Sequence, residues 1–164
     1  MLRRHGIDAP PVPIEKLVKA EGAKISVEDI PSDISGFLYC GGPIPVVGVN
    51  ARQPLTRRRF SVAHELGHLL MHSERLRTKG GLHVDREMLK LRDRNSSTGV
   101  DPEEVEANAF AASILMPRDL VMSELEAMED SDLLDDETIR SLARRFRVSD
   151  QAITIRLNTL GISF

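Results

Sequence analysis

"FSVAHELGHLLMH" occupies residues 60–72 and combines an apolar period with three histidines at four-residue steps and a glutamate directly after the first. The apolar spacing predicts one α-helix from about Thr56 to His72. Residues four apart lie on one face of a helix with their Cβ atoms about 5–6 Å apart. His64 and His68 can therefore direct ring nitrogens at one metal ion, about 2.0–2.1 Å from each.

Glu65 gives this helix a reactive group beside the two histidines. In the arrangement H-E-x-x-H the glutamate lies next to the ion without binding it, where it can accept a proton from metal-activated water. The natural reaction of such a site is peptide hydrolysis. The alternative is an amphipathic helix that carries the pattern by chance, since only three positions are fixed. Gly67 costs about 1 kcal/mol relative to Ala in a helix, which predicts close packing there.

His72 lies too far along the helix to join the same ion. Eight residues separate it from His64, or about 12 Å at a rise of 1.5 Å per residue. We therefore interpret His72 as a helix-end residue at the flank of the site rather than a ligand.

A catalytic zinc takes three protein ligands, so a third must come from elsewhere. The next long helix, "DPEEVEANAFAASILMP", offers Glu103, Glu104 and Glu106. Glu104 shares an apolar face with Asn108, which could hydrogen-bond His64 or Glu104 and orient it. Glu104 is also three residues after Asp101, so a capping-box role explains it equally well without a metal. Spacing alone leaves the two interpretations open.

The rest of the chain predicts an α+β fold. A short helix over residues 13–23 precedes three runs with the composition of antiparallel strands, "KISVEDI", "SGFLYC" and "PVVGVN". The last of these is interpreted as an edge strand on which an extended peptide could add beside the metal, or as an ordinary edge blunted by Pro43 and Pro45. The charged stretch from Ser73 to Val100 is predicted to be a mobile loop or lid flanking the cleft.

Further helices are predicted over residues 102–116 and, as a pair, over residues 136–160. The C-terminal pair, with its turn at "RVSD", resembles a helix-turn-helix unit. Its second helix carries Arg156 as its single basic residue, which provides poorly for DNA contacts and favours packing or partner recognition. The arginine run at 57–59 is interpreted as a helix-entry patch.

Length and composition predict one domain over residues 1–164, with 136–164 as its C-terminal helical segment. The chain is 41% hydrophobic and has a net charge of −3, which suits a single buried core. Residues 101–136 hold 12 Asp and Glu against one Arg, an acidic block that would favour a cation. Cys40 is the single cysteine, which rules out an intramolecular disulfide or a cysteine zinc cluster and suits a reducing cytosol. With neither a signal-like start nor an apolar run of about 20 residues, we expect a cytoplasmic protein without membrane contact.

Two stretches taken together resemble a known family. "RRRFSVAHELGHLLMH" followed by "EVEANAFAASILMP" is similar to the paired motifs of the ImmA/IrrE family of bacterial and phage metallo-endopeptidases. The likeness extends to "IPVVGVN" and to "LARRFRVSDQAITIRLNTLG", so it covers most of the chain. Departures are small: Ser61 stands where Thr is frequent, and Ile114 where Leu is frequent.

This resemblance implies a minimal zincin fold, with a small antiparallel or mixed sheet beside the active-site helix. It implies Zn²⁺ as cofactor, although the same donors also suit Mn²⁺ or Fe²⁺. The implied substrate is a helix-turn-helix repressor protein, cleaved to release a stress or mobile-element regulon. By position, the implied zinc ligands are His64, His68 and Glu104, with Glu65 as general base and Asn108 as a partner of a ligand.

A zincin generally also supplies a hydrogen-bond donor for the negative charge that develops on the substrate oxygen. His83 and Tyr39 are the candidates that we name, against the simpler interpretation of a loop histidine and a strand tyrosine. The alternative to peptidase activity is a module that keeps the fold but binds a partner or DNA without cleaving it. Retention of Glu65 favours the peptidase.

Overall fold

The computed structural model describes residues 1–86, 101–128 and 135–162. A 3₁₀ turn at Leu2–His5 precedes four strands and six α-helices in these ranges. The strands are β1 (Lys24–Glu28), β2 (Ile34–Tyr39), β3 (Val46–Asn50) and β4 (Leu82–Arg86). The helices are α1 (Ile14–Ala20), α2 (Leu55–Thr78), α3 (Pro102–Leu115), α4 (Arg118–Glu126), α5 (Asp136–Phe146) and α6 (Asp150–Thr159). The predicted α+β class is confirmed.

The described strands form one mixed sheet in the order β1-β3-β2-β4. β1 pairs with β3 in parallel, whereas β2 is antiparallel to both β3 and β4. The prediction that "PVVGVN" is an edge strand is therefore wrong, as is that of an all-antiparallel run of the first three strands. Burial explains the order: β3 is buried at four of its five residues and suits the interior of the sheet, while β1 is largely exposed and suits an edge.

Helix α2 packs against β2 and β3 of this sheet and continues six residues beyond the predicted end at His72. Leu76, only 7% exposed, anchors the additional turns. The helix ends at Thr78 with Lys79 as its C-cap, just before Gly80 and Gly81, which both have positive φ. Charged residues on the outer face of these turns concealed the helical period in the sequence.

The expected loop or lid at residues 73–100 is corrected in two places. Residues 73–78 belong to α2, and residues 82–86 form β4, which pairs with β2. The alternation in "LHVDR" is the period of a strand, which the surrounding charges obscured. Residues 87–100 lie outside the described residues.

Gly67 marks a close approach of α2 and α3. A Cβ added at Gly67 would lie 3.1 Å from Phe110 Cδ1 and 3.3 Å from the Ala107 Cα. These distances confirm the close packing predicted at this glycine, because a side chain would have to displace helix backbone.

The fold divides into two compact units. We call Ile14–Ala111 the sheet unit, and Met1–Pro13 with Ala112–Phe164 the helical unit. The single domain inferred from length and composition remains a prediction.

In the helical unit, α5 and α6 form the pair that the sequence indicated. Arg147, at φ 53°, ends α5, and the Ser149 side chain caps α6 by accepting from the Ala152 N–H at 3.2 Å. Arg156 Nε donates to the Met116 carbonyl at 2.9 Å, which ties α6 to the end of α3. Helix α4 was not predicted. In the described residues, no helix is both long and apolar enough to cross a membrane.

Candidate metal centre

Helix α2 brings two histidine rings together in the interior of the sheet unit. His64 and His68 are 0% and 1% exposed, and their Nε2 atoms lie 3.1 Å apart. The ring centroids are 4.7 Å apart in an edge-on arrangement. Four-residue spacing on one buried helix face thus gives the paired nitrogens that the sequence predicted.

Glu104 reaches the same point from the first turn of α3. Its Oε2 lies 3.5 Å from His64 Nε2, and its Oε1 lies 3.2 Å from His68 Nε2. Ligand atoms that share one tetrahedral zinc at 2.0–2.1 Å are about 3.3 Å from one another. The two imidazole nitrogens and the carboxylate group therefore lie at separations that fit a zinc-sized ion.

The other acidic residues at the start of α3 have different roles. Asp101 caps the helix by accepting from the Glu103 N–H at 3.0 Å, which leaves the Glu104 side chain facing the histidines. Glu103 forms an ion pair with Arg75, and Glu106 Oε2 lies 3.5 Å from His72 Nε2. Two explanations were left open for Glu104, helix capping and a place among the histidines. Asp101 caps the helix, and Glu104 lies among the histidines.

The charge state of Glu104 is set by these histidines. Burial raises the pKa of Glu104, but the hydrogen bond with His68 and the electrostatic interactions with His64, His83 and His68 outweigh it and lower the pKa to about 2. The carboxyl group is consequently a carboxylate at neutral pH, the form that can bind a cation.

Asn108 lies one turn after Glu104 and contacts the far side of the His64 ring. Its Oδ1 is 3.1 Å from His64 Nδ1. An amide oxygen can only accept, so His64 Nδ1–H donates to it. This hydrogen bond assigns the proton to Nδ1 and leaves Nε2, the nitrogen facing Glu104, with its lone pair available to a metal.

Glu65 is fully buried beside this cluster, against the sheet. A Cβ added at Gly36 of β2 would lie 3.5 Å from Glu65 Oε1 and 2.9 Å from the Gly48 carbonyl oxygen. The absence of a side chain at Gly36 therefore leaves space for the carboxylate. Its other oxygen, Oε2, is 3.9 Å from His83 Nε2.

Strand β4 adds two titratable residues to the site. His83 Nε2 lies 3.3 Å from Glu104 Oε1, and the His83 ring centroid lies 3.9 Å from that of His68. Asp85 is 4% exposed and offers a ligand atom within 4.8 Å of those of His64 and Glu65. His83 is thus a strand residue of the centre, and the interpretation as a loop histidine is wrong. Asp85 was missed, although residues two apart on a strand share a face and "HVD" carries that signal.

His72 and Tyr39 lie outside this group of donors. His72 is 8% exposed and lies beside His68 with ring centroids 5.3 Å apart and ring planes tilted by 58°, while its Nε2 faces Glu106. Because α2 continues to Thr78, the description of His72 as a helix-end residue is wrong. Tyr39 is 40% exposed at the end of β2, and its ring lies against Gly41. Their suggested roles as a donor or flank remain predictions.

A buried H-E-x-x-H helix, a glutamate from a second helix and a small mixed sheet are the features of a metallopeptidase-type domain. The chain belongs to the Peptidase_M78 family, the IrrE N-terminal-like domain, whose family model matches residues 18–158. The predicted ImmA/IrrE kinship and zincin-like fold are thereby confirmed. The family is generally metal-dependent.

Among solved structures, a Mycobacterium tuberculosis transcriptional regulator shares the fold with a TM-score of 0.60 and 21% sequence identity. The match covers 96% of this chain but 43% of that longer one. A search of curated protein sequences finds no match.

Proposed function

We propose that this chain is a zinc-dependent endopeptidase that hydrolyses a peptide bond in a protein partner. The observation that carries the proposal is the convergence of His64, His68 and Glu104 within 3.1–3.5 Å of one another, with the fully buried Glu65 beside them. Three protein donors with an adjacent carboxylate are the set that a catalytic zinc site requires. Mn²⁺ and Fe²⁺ suit the same nitrogen and oxygen donors, and metal analysis decides among them.

Each residue would have a separate role. The Nε2 atoms of His64 and His68 and the carboxylate of Glu104 would hold the ion, and Asn108 would keep the His64 ring in the required tautomer. Zinc bound there would lower the pKa of a coordinated water to about 7 and polarise the substrate carbonyl. Glu65 would accept the proton and pass it to the leaving amine. Burial of Glu65 against Gly36 holds its carboxylate in place for both transfers.

The strand order of the sheet favours a protein substrate that binds in an extended conformation. β4 is an edge strand among the described strands and carries His83 and Asp85 of the centre. An extended peptide that added to this edge would pass close to the metal donors. β4 therefore replaces β3 as the strand that we propose for substrate pairing.

The partner that we propose is a DNA-binding repressor of the helix-turn-helix class. Kinship with the ImmA/IrrE family supports this choice, as does the description of the structural neighbour as a transcriptional regulator. Proteolysis of such a repressor would be carried out in the cytoplasm. The competing function is partner binding without cleavage, which would require neither Glu65 nor its burial.

The deciding variant is Glu65→Gln. We expect it to retain bound zinc and affinity for the repressor while losing about 10²–10⁴-fold in cleavage rate, because a general base contributes about that much. Metal content, affinity for a candidate helix-turn-helix repressor, and cleavage of that repressor are measured on the same preparations. Glu74→Gln is the matched control, because Glu74 is exposed on the same helix. This variant should cleave the repressor at the wild-type rate. Unchanged repressor regulation by Glu65→Gln would refute the peptidase and favour the binding module.

A further inference from the structure

The candidate centre has one more donor than a catalytic zinc site needs. Ligand atoms of His64, His68, Glu104 and His83 all lie within 4.8 Å of one another. Catalytic zinc sites keep one coordination position open, whereas sites with four protein ligands are closed. The status of His83 therefore decides whether the resting site is open.

The distance from His83 to Glu104 matches the distances among the other donors. His83 Nε2 is 3.3 Å from Glu104 Oε1, close to the 3.1 Å between the two α2 histidines and the 3.2 Å between His68 and Glu104. About 3.3 Å is the edge of a tetrahedron of ligands around zinc. The His83 ring also lies beside that of His68, at 3.9 Å between centroids and 33° between planes.

Pairing with β2 and a tight glycine turn hold His83 at this position. Its strand is paired with β2, where Leu38 is opposite His83. At the start of the strand, the Gly81 carbonyl accepts from the Cys40 N–H at 2.6 Å. Gly80 and Gly81, with φ of 95° and 76°, make the tight turn that returns the chain from α2 to the sheet. A short two-glycine connection of this kind places β4 beside the helix that it follows.

We propose that His83 is a fourth protein donor to the metal and closes the centre in the resting protein. This inference rests on the proposed metal site. Water or a peptide carbonyl would reach the ion only after His83 moves away. Because His83 lies on β4, an edge strand among the described strands, pairing of a peptide with β4 is the event that would displace it. The site would thus be closed to small molecules and opened by an extended protein segment.

X-ray absorption of the zinc-loaded wild-type protein tests this directly, because it counts imidazole ligands without measuring activity. We expect three imidazoles and one carboxylate in the wild type, and two imidazoles in His83→Ala. His72→Ala is the matched control: His72 is buried on α2 next to His68 but faces Glu106, so three imidazoles should remain. Two imidazoles in the wild type would overturn the proposal, whatever the variants do.

Two further measurements follow from the same idea. Zinc affinity should fall about 10- to 100-fold in His83→Ala, at least the loss seen for groups that support a ligand. In cobalt-substituted protein, azide should bind His83→Ala more tightly than the wild type, and equal binding would count against closure.

Failure of this inference is distinct from failure of the peptidase. If zinc is bound by two imidazoles and the repressor is still cleaved, only the proposed role of His83 is overturned, and the peptidase proposal stands. Absence of stoichiometric zinc in the wild type would overturn both proposals.

Discussion

The sheet unit buries polar and charged side chains together with its apolar core, whereas the buried side chains described in the helical unit are almost all apolar. Of the ten polar or charged residues buried in the described part of the chain, nine lie in the sheet unit, and Thr138 lies in the helical unit. Both units also bury large apolar residues, which in the helical unit include Phe146, Ile153 and Leu157 at 0% exposure. Burying ionisable groups is unfavourable unless they are paired or bind a metal. The sheet unit therefore gives up stability at a site that a cation would stabilise, and the helical unit does not.

The largest expected effect in this comparison is loss of the metal. His64→Ala should abolish stoichiometric zinc binding, because His64 is the α2 donor whose tautomer Asn108 fixes. Metal content after dialysis measures this. His5→Ala, an exposed histidine of the helical unit, should keep full occupancy. Full occupancy in both His64→Ala and His68→Ala would place the metal elsewhere.

A core deletion in the helical unit should affect stability without affecting the metal. Phe146→Ala is expected to lower the free energy of unfolding by about 3–5 kcal/mol, since a fully buried ring is replaced by a cavity. Urea denaturation measures the loss, and Arg140→Ala, exposed on the same helix, should change it by less than about 0.5 kcal/mol. Zinc affinity of the folded variant should be unchanged. A weakened affinity would show that the two units are energetically coupled and would break the comparison.

The smallest effect concerns the hydrogen bond to His64. Asn108→Ala should lower zinc affinity about 10- to 100-fold, because the ring loses the acceptor that orients it. Competition with a chelator measures the affinity. Asn108→Asp retains an acceptor and should bind at least as well as the wild type, while Asn158→Ala, exposed on α6, serves as a neutral control. Unchanged affinity in Asn108→Ala would show that packing alone holds His64.

Local patterns predicted the helices of the site better than the sheet. Residues 60–72 and the start of α3 carry strong helical periods, and both helices are found there. The end of α2 was placed too early because Leu76 is the only buried residue after His72 within the helix. β4 was missed because its alternation of apolar and polar residues extends over only five residues and is flanked by charged residues. The prediction that "PVVGVN" lies at an edge was wrong because pairing depends on which strand can be buried on both faces, a property of the assembled sheet.

By itself, the sequence determined the pairing of His64 with His68 and the adjacency of Glu65, because helical spacing is local geometry that four residues suffice to set. It also determined the family, through two motifs read together. Helical spacing left Glu104 open and the family resemblance named it, while the tertiary structure shows that Glu104, rather than Glu103 or Glu106, faces these histidines. Only the tertiary structure decided that β4 brings His83 and Asp85 beside them. Those contacts join residues 15 or more positions apart, and their distances depend on how helices and strands pack rather than on spacing along the chain.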